Sequence, residues 1–231
     1  MLPIVLVPGL ICTAEAFAPQ ILALWPFGPV TIASTLEGDS MAAMAANILA
    51  TAPPRFALGG ISMGGYLCFE ILRQAPERVM KLALMDTTAR PDTPEQTANR
   101  RARVARARNG DYEAMLDELF PALVHPSRQA DTALADLNRR GGLVVGVEGF
   151  ARQQEAIIAR PDSRPMLGSI RQPTLVIVGD SDLLTPPELA MEMATAITGA
   201  QLVVIPSCGH MSTCEQPEAV NAALIAWLQR G

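Results

Sequence analysis

Charge and histidine are both scarce in this chain of 231 residues. Charged residues make up 18% and hydrophobic ones 49%, which excludes intrinsic disorder and points to a large buried core in one domain with room for an insertion. Basic residues are outnumbered, the net charge being −5 at pH 7, and that argues against a nucleic-acid-binding surface. The single lysine, Lys81, against seventeen arginines reads as codon usage without functional meaning. No apolar stretch approaches the ~20 residues that a membrane-spanning helix needs. The first apolar run starts at Leu2 with no basic leader before it, so a secretory signal is not expected and a cytoplasmic location is. Four cysteines, Cys12, Cys68, Cys208 and Cys214, are then expected to be free thiols. The two histidines are His125 and His210, and any histidine-dependent chemistry must use one of them.

What is present is a rhythm of short apolar runs and helical stretches. Pro3–Val7, Val30–Ala33, Phe56–Ile61 and Lys81–Met85 read as strands, the first closed by Pro8-Gly9. Continuous apolar runs of this length suit strands buried on both faces. Between them, 40–52 reads as a helix capped by Asp39 or Ser40, and 64–74 as a helix stopped by Ala75-Pro76. This alternation implies βαβ crossovers, hence an open, mostly parallel sheet with helices on both faces. The rhythm stops after Asp86 and resumes with a strand at Thr174–Val178, a helix near 187–197, a strand at Leu202–Ile205 and a closing amphipathic helix after Pro217. Between Thr87 and Pro165 lie 11 acidic and 12 basic residues and no clear strand. That shift marks an inserted helical cap, or lid, over 90–165, with 1–89 and 166–231 forming the core.

Gly60-Ile61-Ser62-Met63-Gly64 matches G-x-S-x-G at the junction of a strand and a helix. The pattern places a serine on a tight, strained turn, its hydroxyl lifted clear of the sheet at a helix N-terminus. Serine is a weak nucleophile until a base takes its proton. His210 follows the strand Leu202–Ile205 directly, and Gly179-Asp180-Ser181-Asp182 follows Thr174–Val178. Loops at the carboxyl ends of parallel strands form the ligand crevice of such sheets. Serine, acid and histidine in that chain order, with Ser62 as nucleophile and His210 as base, suit acyl transfer. The acid is expected to be Asp182, with Asp180 and Asp86 left open as alternatives. Asp180 otherwise reads as a turn residue bonding nearby backbone N–H groups. His125, in the insertion beside Pro126, reads as structural or pocket-lining. Cys208, His210 and Cys214 have no established zinc spacing, and a metal would consume the base, so no metal and no cofactor are expected. Arg100, Arg101, Arg103, Arg106 and Arg108 read as a solvated helix face paired with Glu95, Asp111 and Glu113. Phe17, Trp25, Phe120 and Phe150 are expected in the core.

On Pro8-Gly9-Leu10, Gly60–Gly65, Gly179–Asp182 and Gly209-His210 the chain resembles the α/β-hydrolase superfamily over nearly its full length, most of all small bacterial esterases and cofactor-free haloperoxidase-type relatives. The resemblance implies that the acid, three residues after the glycine ending its strand, is Asp182. It further implies an oxyanion hole from the backbone N–H groups of Met63 and Leu10, and a sheet of about six strands without the family's N-terminal hairpin. Pro8 stands where many relatives have histidine, a change expected to affect loop support only. A serine at position 62 also sets the chain apart from the aspartate-dependent dehalogenases and epoxide hydrolases of this fold. The expected activity is hydrolysis of a small, mostly apolar carboxylic ester through an acyl-enzyme. Alternatives are C–C bond hydrolysis or a lyase reaction with the same residues, or a small-molecule receptor with slow turnover. The expected partner is a small ester or acyl substrate, and the chain is expected to be a monomer or homodimer.

Overall fold

The computed structural model describes residues 1–230. In chain order it comprises β1 (Ile4–Val7), α1 (Ala18–Leu24), β2 (Val30–Ile32), α2 (Met41–Thr51), β3 (Phe56–Ile61), α3 (Met63–Gln74) and β4 (Val79–Met85). Helices and turns alone follow, with α4 (Pro94–Arg106), α5 (Tyr112–Leu123), α6 (Thr132–Ile158) and α7 (Arg164–Leu167). The chain then adds β5 (Thr174–Gly179), α8 (Pro187–Ala196), β6 (Gln201–Ile205), α9 (Ser212–Glu215) and α10 (Pro217–Gln229). All six strands pair in parallel in the order β2-β1-β3-β4-β5-β6. The expected six-stranded parallel sheet with helices on both faces is therefore present.

The two faces follow from the period-2 alternation of side chains along each strand. Val5 and Val7 face a core built with Met44 and Ile48 of α2, Leu67 and Ile71 of α3 and Met193 of α8. Ile4 and Leu6 face the opposite core, with Phe17, Leu24 of α1, and Leu224 and Trp227 of α10. Strands β1, β3 and β5 are buried throughout, whereas the outer strands β2 and β6 are partly exposed. Ser40, not Asp39, caps α2, its hydroxyl accepting from the Ala43 N–H at 3.2 Å.

The helices after β4 have a core of their own, in which Val104, Tyr112, Leu116 and Phe150 pack around Ile11 from the loop after β1. Asp92, almost fully buried, accepts from Arg100 and Arg160 at 2.6 Å each. The Arg160 guanidinium also lies 4.2 Å over the Tyr66 ring, which joins this segment to α3. Two expectations need correction. Trp25 is 63% exposed, because it stands in the short turn Trp25–Phe27 after α1, none of whose residues is buried. Glu113 pairs with Arg139 on α6 and not with the arginines of 100–108; among those, Arg100 reaches Asp92, Arg106 reaches Asp111 and Glu118, and Arg108, just past α4, reaches Glu148. Glu95, in the first turn of α4, forms no ion pair among the described residues.

Candidate active site

Ser62 stands between the last residue of β3 and the first of α3, with φ 54° and ψ −118°. A non-glycine residue there costs on the order of 1–3 kcal/mol and persists only where its surroundings determine it. They do so here. The Ser62 N–H donates to the Met85 carbonyl at 2.9 Å, and its carbonyl accepts from the Thr87 hydroxyl at 2.8 Å. Gly64 lets α3 start directly against β1, since a Cβ at that position would stand 2.0 Å from the Val7 carbonyl oxygen. The other non-glycine residues with positive φ are Ile11, Asp86 and Ser207. Each lies in the loop after a strand, at the same end of the sheet.

His210 reaches Ser62 from the loop after β6. Its Nε2 is 2.8 Å from Ser62 Oγ and its Nδ1 is 2.8 Å from Asp182 Oδ2. Asp182 is fully committed: Oδ1 accepts from the N–H groups of Leu184 and Thr185 at 2.8 and 2.9 Å, and Oδ2 also accepts from the Thr185 hydroxyl at 2.8 Å. Burial works against charge on this carboxylate, but His210 and the Thr185 donors hold its pKa below the ordinary range. For His210, burial favours the neutral ring, yet the Asp182 carboxylate, helped by Asp86 and Glu215, raises its pKa above the ordinary histidine value. Such an imidazole can take the serine proton and keep it.

The loop that carries His210 is held by carboxylates at nearly every backbone donor. Asp180 accepts from the N–H groups of Ser207 and Cys208, Glu215 from Gly209 and Asp86 from Ser212. The His210 N–H itself donates to the Leu123 carbonyl of α5 at 2.8 Å. Asp180 and Asp86 thus bind backbone and not the imidazole. Asp86 is wholly buried, and burial together with the Asp182 charge pushes its pKa up to about 7. His125 lies apart from Ser62: its N–H donates to Glu215 at 2.7 Å and its ring engages Ser127. Both ring nitrogens of His210 are engaged, which leaves none for a metal. The four cysteines are free thiols, and burial pushes Cys12 up to about 12, far from a reactive thiolate.

Leu10 and Met63 flank the serine. A Cβ on Gly9 would stand 3.3 Å from Ser62 Cβ and 3.6 Å from Cys12 Sγ, so the turn after β1 lies directly against the turn that carries Ser62. Neither the Leu10 nor the Met63 N–H has an acceptor among the described residues. A small cleft opens at the end of the turn after β1, lined by Ile11, Ala16, Leu137 and Met211 with Cys12 and Asn138. A second cleft, behind α3, holds Arg73, Arg90 and Arg160, but these engage Glu70, Glu192 and Asp92. Sequence reasoning missed Thr185, although its place three residues after Asp182 is the spacing of a side chain closing back on an acidic turn. It also missed Gln153, which donates to Thr35 and accepts from Ile11.

The family model described as alpha/beta hydrolase fold matches residues 28–217. A Mycobacterium tuberculosis protein named as a non-heme bromoperoxidase is 31% identical over 175 residues, 72% of this chain and 65% of that one. The chain therefore spans just under two thirds of that relative's length. A pimeloyl-[acyl-carrier protein] methyl ester esterase of Nitrosomonas europaea is 31% identical over 190 residues, covering 78% of this chain and 74% of its own. Among solved structures, a thermophilic esterase from Thermogutta terrifontis, with malate bound, superposes with a TM-score of 0.90 at 33% identity, over 99% of this chain and 90% of that one.

Proposed function

The chain belongs to the alpha/beta hydrolase family, and from that premise we propose that it is a serine hydrolase cleaving a small, mostly apolar carboxylic ester. The observation that carries this reading is the unbroken line from Ser62 Oγ through His210 to Asp182, with 2.8 Å at both links. In this reading Ser62 Oγ attacks the ester carbonyl as His210 Nε2 takes its proton. The Leu10 and Met63 N–H groups receive the developing oxyanion. Loss of one such donor typically costs about 3–4 kcal/mol of barrier. Asp182 fixes the tautomer with Nδ1 protonated and stabilises the imidazolium. Collapse of the tetrahedral adduct breaks the ester bond, His210 returns the proton to the leaving alcohol, and a water deprotonated by His210 then releases the acid. No cofactor enters these steps.

Substrate character follows from the cleft at the end of the turn after β1. The apolar side chains of Ile11, Ala16, Leu137 and Met211 that line it suit a short apolar acyl or alkyl group. Esterase relatives support the same class of bond. The helices of 90–165 act as the cap in this scheme, supplying Leu137 and Asn138 to the cleft. The test is p-nitrophenol release from acetate, butyrate and octanoate esters by the wild type and Ser62→Ala. Multi-turnover hydrolysis that favours the short chains and disappears in Ser62→Ala is expected. Activity persisting in Ser62→Ala would overturn the assignment.

A further inference from the structure

Ile11 occupies the third position of the turn Gly9–Cys12, closed by the Cys12 N–H donating to the Gly9 carbonyl at 3.2 Å. Its φ of 55° is one that glycine or asparagine takes at this position of a turn and that a β-branched residue resists. The turn has a consequence for the neighbouring peptide. The Gly9 carbonyl and the Leu10 N–H share one trans peptide plane and point in opposite directions. Anchoring that carbonyl on Cys12 therefore sets where the Leu10 N–H points. If Ile11 relaxed to negative φ, the turn would open and the Leu10 N–H would swing.

Both peptide groups of Ile11 lie against α6. Its N–H donates to Gln153 Oε1 at 3.0 Å. Its carbonyl oxygen lies where a Cβ on Gly141 would be only 2.6 Å away, so the bare glycine admits it. Gln153 is 1% exposed and has no freedom of its own, because Nε2 donates to the Thr35 carbonyl and hydroxyl at 3.1 and 3.2 Å. One buried amide thus ties the strained turn to the segment after β2 and to a helix 142 positions away in sequence.

We infer that Gln153 is a positioning residue: it holds Ile11 in the left-handed conformation that aims the Leu10 N–H at the oxyanion. It touches no reacting atom and acts through the turn. This rests on the acyl-transfer reading of Ser62, and it makes the insertion part of the oxyanion hole's support as well as a wall of the cleft.

The test compares Gln153→Met, Gln153→Glu and the double variant Gln153→Met/Ile11→Gly. It measures kcat and KM on p-nitrophenyl butyrate, and amide exchange at Ile11 and Cys12 by NMR, on protein whose folding is verified by circular dichroism. Methionine fills the space but accepts no comparable bond. A fall in kcat of about 10–100-fold is expected, below the full loss of an oxyanion donor, with KM within about threefold. Glutamate, kept neutral by burial, still accepts from the Ile11 N–H and can donate its proton to the Thr35 carbonyl, and should retain kcat within about fivefold. Glycine at position 11 takes positive φ unaided and should recover at least about half of the logarithmic loss, which a merely structural role for Gln153 would not produce. Exchange at Ile11 should quicken at least about tenfold in Gln153→Met.

Unchanged kcat, a loss confined to KM, no recovery by Ile11→Gly, or unchanged exchange would each overturn the inference. If Gln153→Met does not fold, Gln153→Glu decides, since a drop beyond tenfold there refutes the role of the acceptor. Ser62→Ala, run alongside, separates the two readings. Hydrolysis surviving in it refutes the acyl-enzyme, while the exchange data still show whether Gln153 holds the turn.

Discussion

Replacing Asp182 by asparagine and by alanine separates the catalytic part of this carboxylate from its structural part. Four donors converge on it: the N–H groups of Leu184 and Thr185 on Oδ1, and the Thr185 hydroxyl and His210 Nδ1 on Oδ2. Asparagine keeps the Oδ1 acceptor for both backbone donors and presents an NH₂ where Oδ2 was. The Thr185 hydroxyl can rotate to accept from it, but His210 can do so only by moving its proton from Nδ1 to Nε2. The ring then offers Ser62 a donor and no base. In a comparable serine–histidine–aspartate site this change lowers kcat by ~10⁴, equal to about 5.5 kcal/mol of barrier. Alanine removes every acceptor: the two backbone N–H groups lose their partner, at about 1–3 kcal/mol each, and the Thr185 hydroxyl and His210 Nδ1 are left only each other, at 3.3 Å. The expected outcome is a divergence. Asp182→Asn should lose about three to four orders of magnitude in kcat while its urea midpoint moves little, and Asp182→Ala should lose both activity and at least about 3 kcal/mol of stability. Single-turnover acylation with p-nitrophenyl acetate and urea titration followed by circular dichroism measure the two halves. An asparagine variant within tenfold of wild-type kcat would refute the tautomer argument.

Two further outcomes follow from the same geometry. His210 must be neutral to act as base, and its pKa is raised by Asp182 against the effect of burial; kcat/KM should therefore fall as pH drops, with the midpoint of the acid limb above the ordinary histidine value of about 6.5. A midpoint below that value would contradict the charge arrangement. Gly64→Ala should cost at least about 3 kcal/mol in thermal or urea unfolding, because its Cβ meets the rigid Val7 carbonyl at 2.0 Å and no rotamer can relieve it. Gly168→Ala, with φ −67° and nothing within 4 Å of its Cβ, should instead gain about 0.4–1 kcal/mol. Equal effects would refute the packing argument.

The sheet was legible because its strands are buried on both faces. Phe56–Ile61 and Thr174–Gly179 are apolar runs with glycine punctuation, and the structure places strands there. Helix α1 was not anticipated, since seven residues with a proline at the second position are too few for periodicity to register. The helical character of 90–165 showed in its lack of strands, but its arrangement did not. Gly110 and Gly146 bend it at φ 94° and 69°, and a glycine in a helical pattern does not announce whether it bends. Ser62, His210 and Asp182 could be singled out as candidates because each follows a strand with a short motif attached. Gln153 carries no such mark. Its partners are Ile11 and Thr35, both on the far side of the chain in sequence, and only the folded molecule brings them together.

The acidic residues near His210 show how one residue type is divided between holding and acting. Asp180, Asp86 and Glu215 spend their oxygens on the backbone N–H groups of 207–209 and 212, which fixes the loop in which Ser207 itself has φ 52°. Asp182 alone has an oxygen on the imidazole. Holding a loop with carboxylates has an electrostatic consequence that holding it with neutral acceptors would not. Each ionised group makes the imidazolium more favourable, and Asp86 and Glu215 both act on His210 in that direction. Burial, with the Asp182 charge second, drives Asp86, the most buried of them, up to about 7. Because its pKa in the fold exceeds the ordinary carboxylate value of 3.8, ionising Asp86 opposes folding. Its contribution to stability is greatest below that value and is lost as pH rises from about 4 through about 7. The same rise in pH frees His210 to act as base. Asp180 and Asp182, whose pKa values lie below the ordinary range, act in the opposite sense and lose their contribution as pH falls, so the acids that support one loop answer pH with opposite signs.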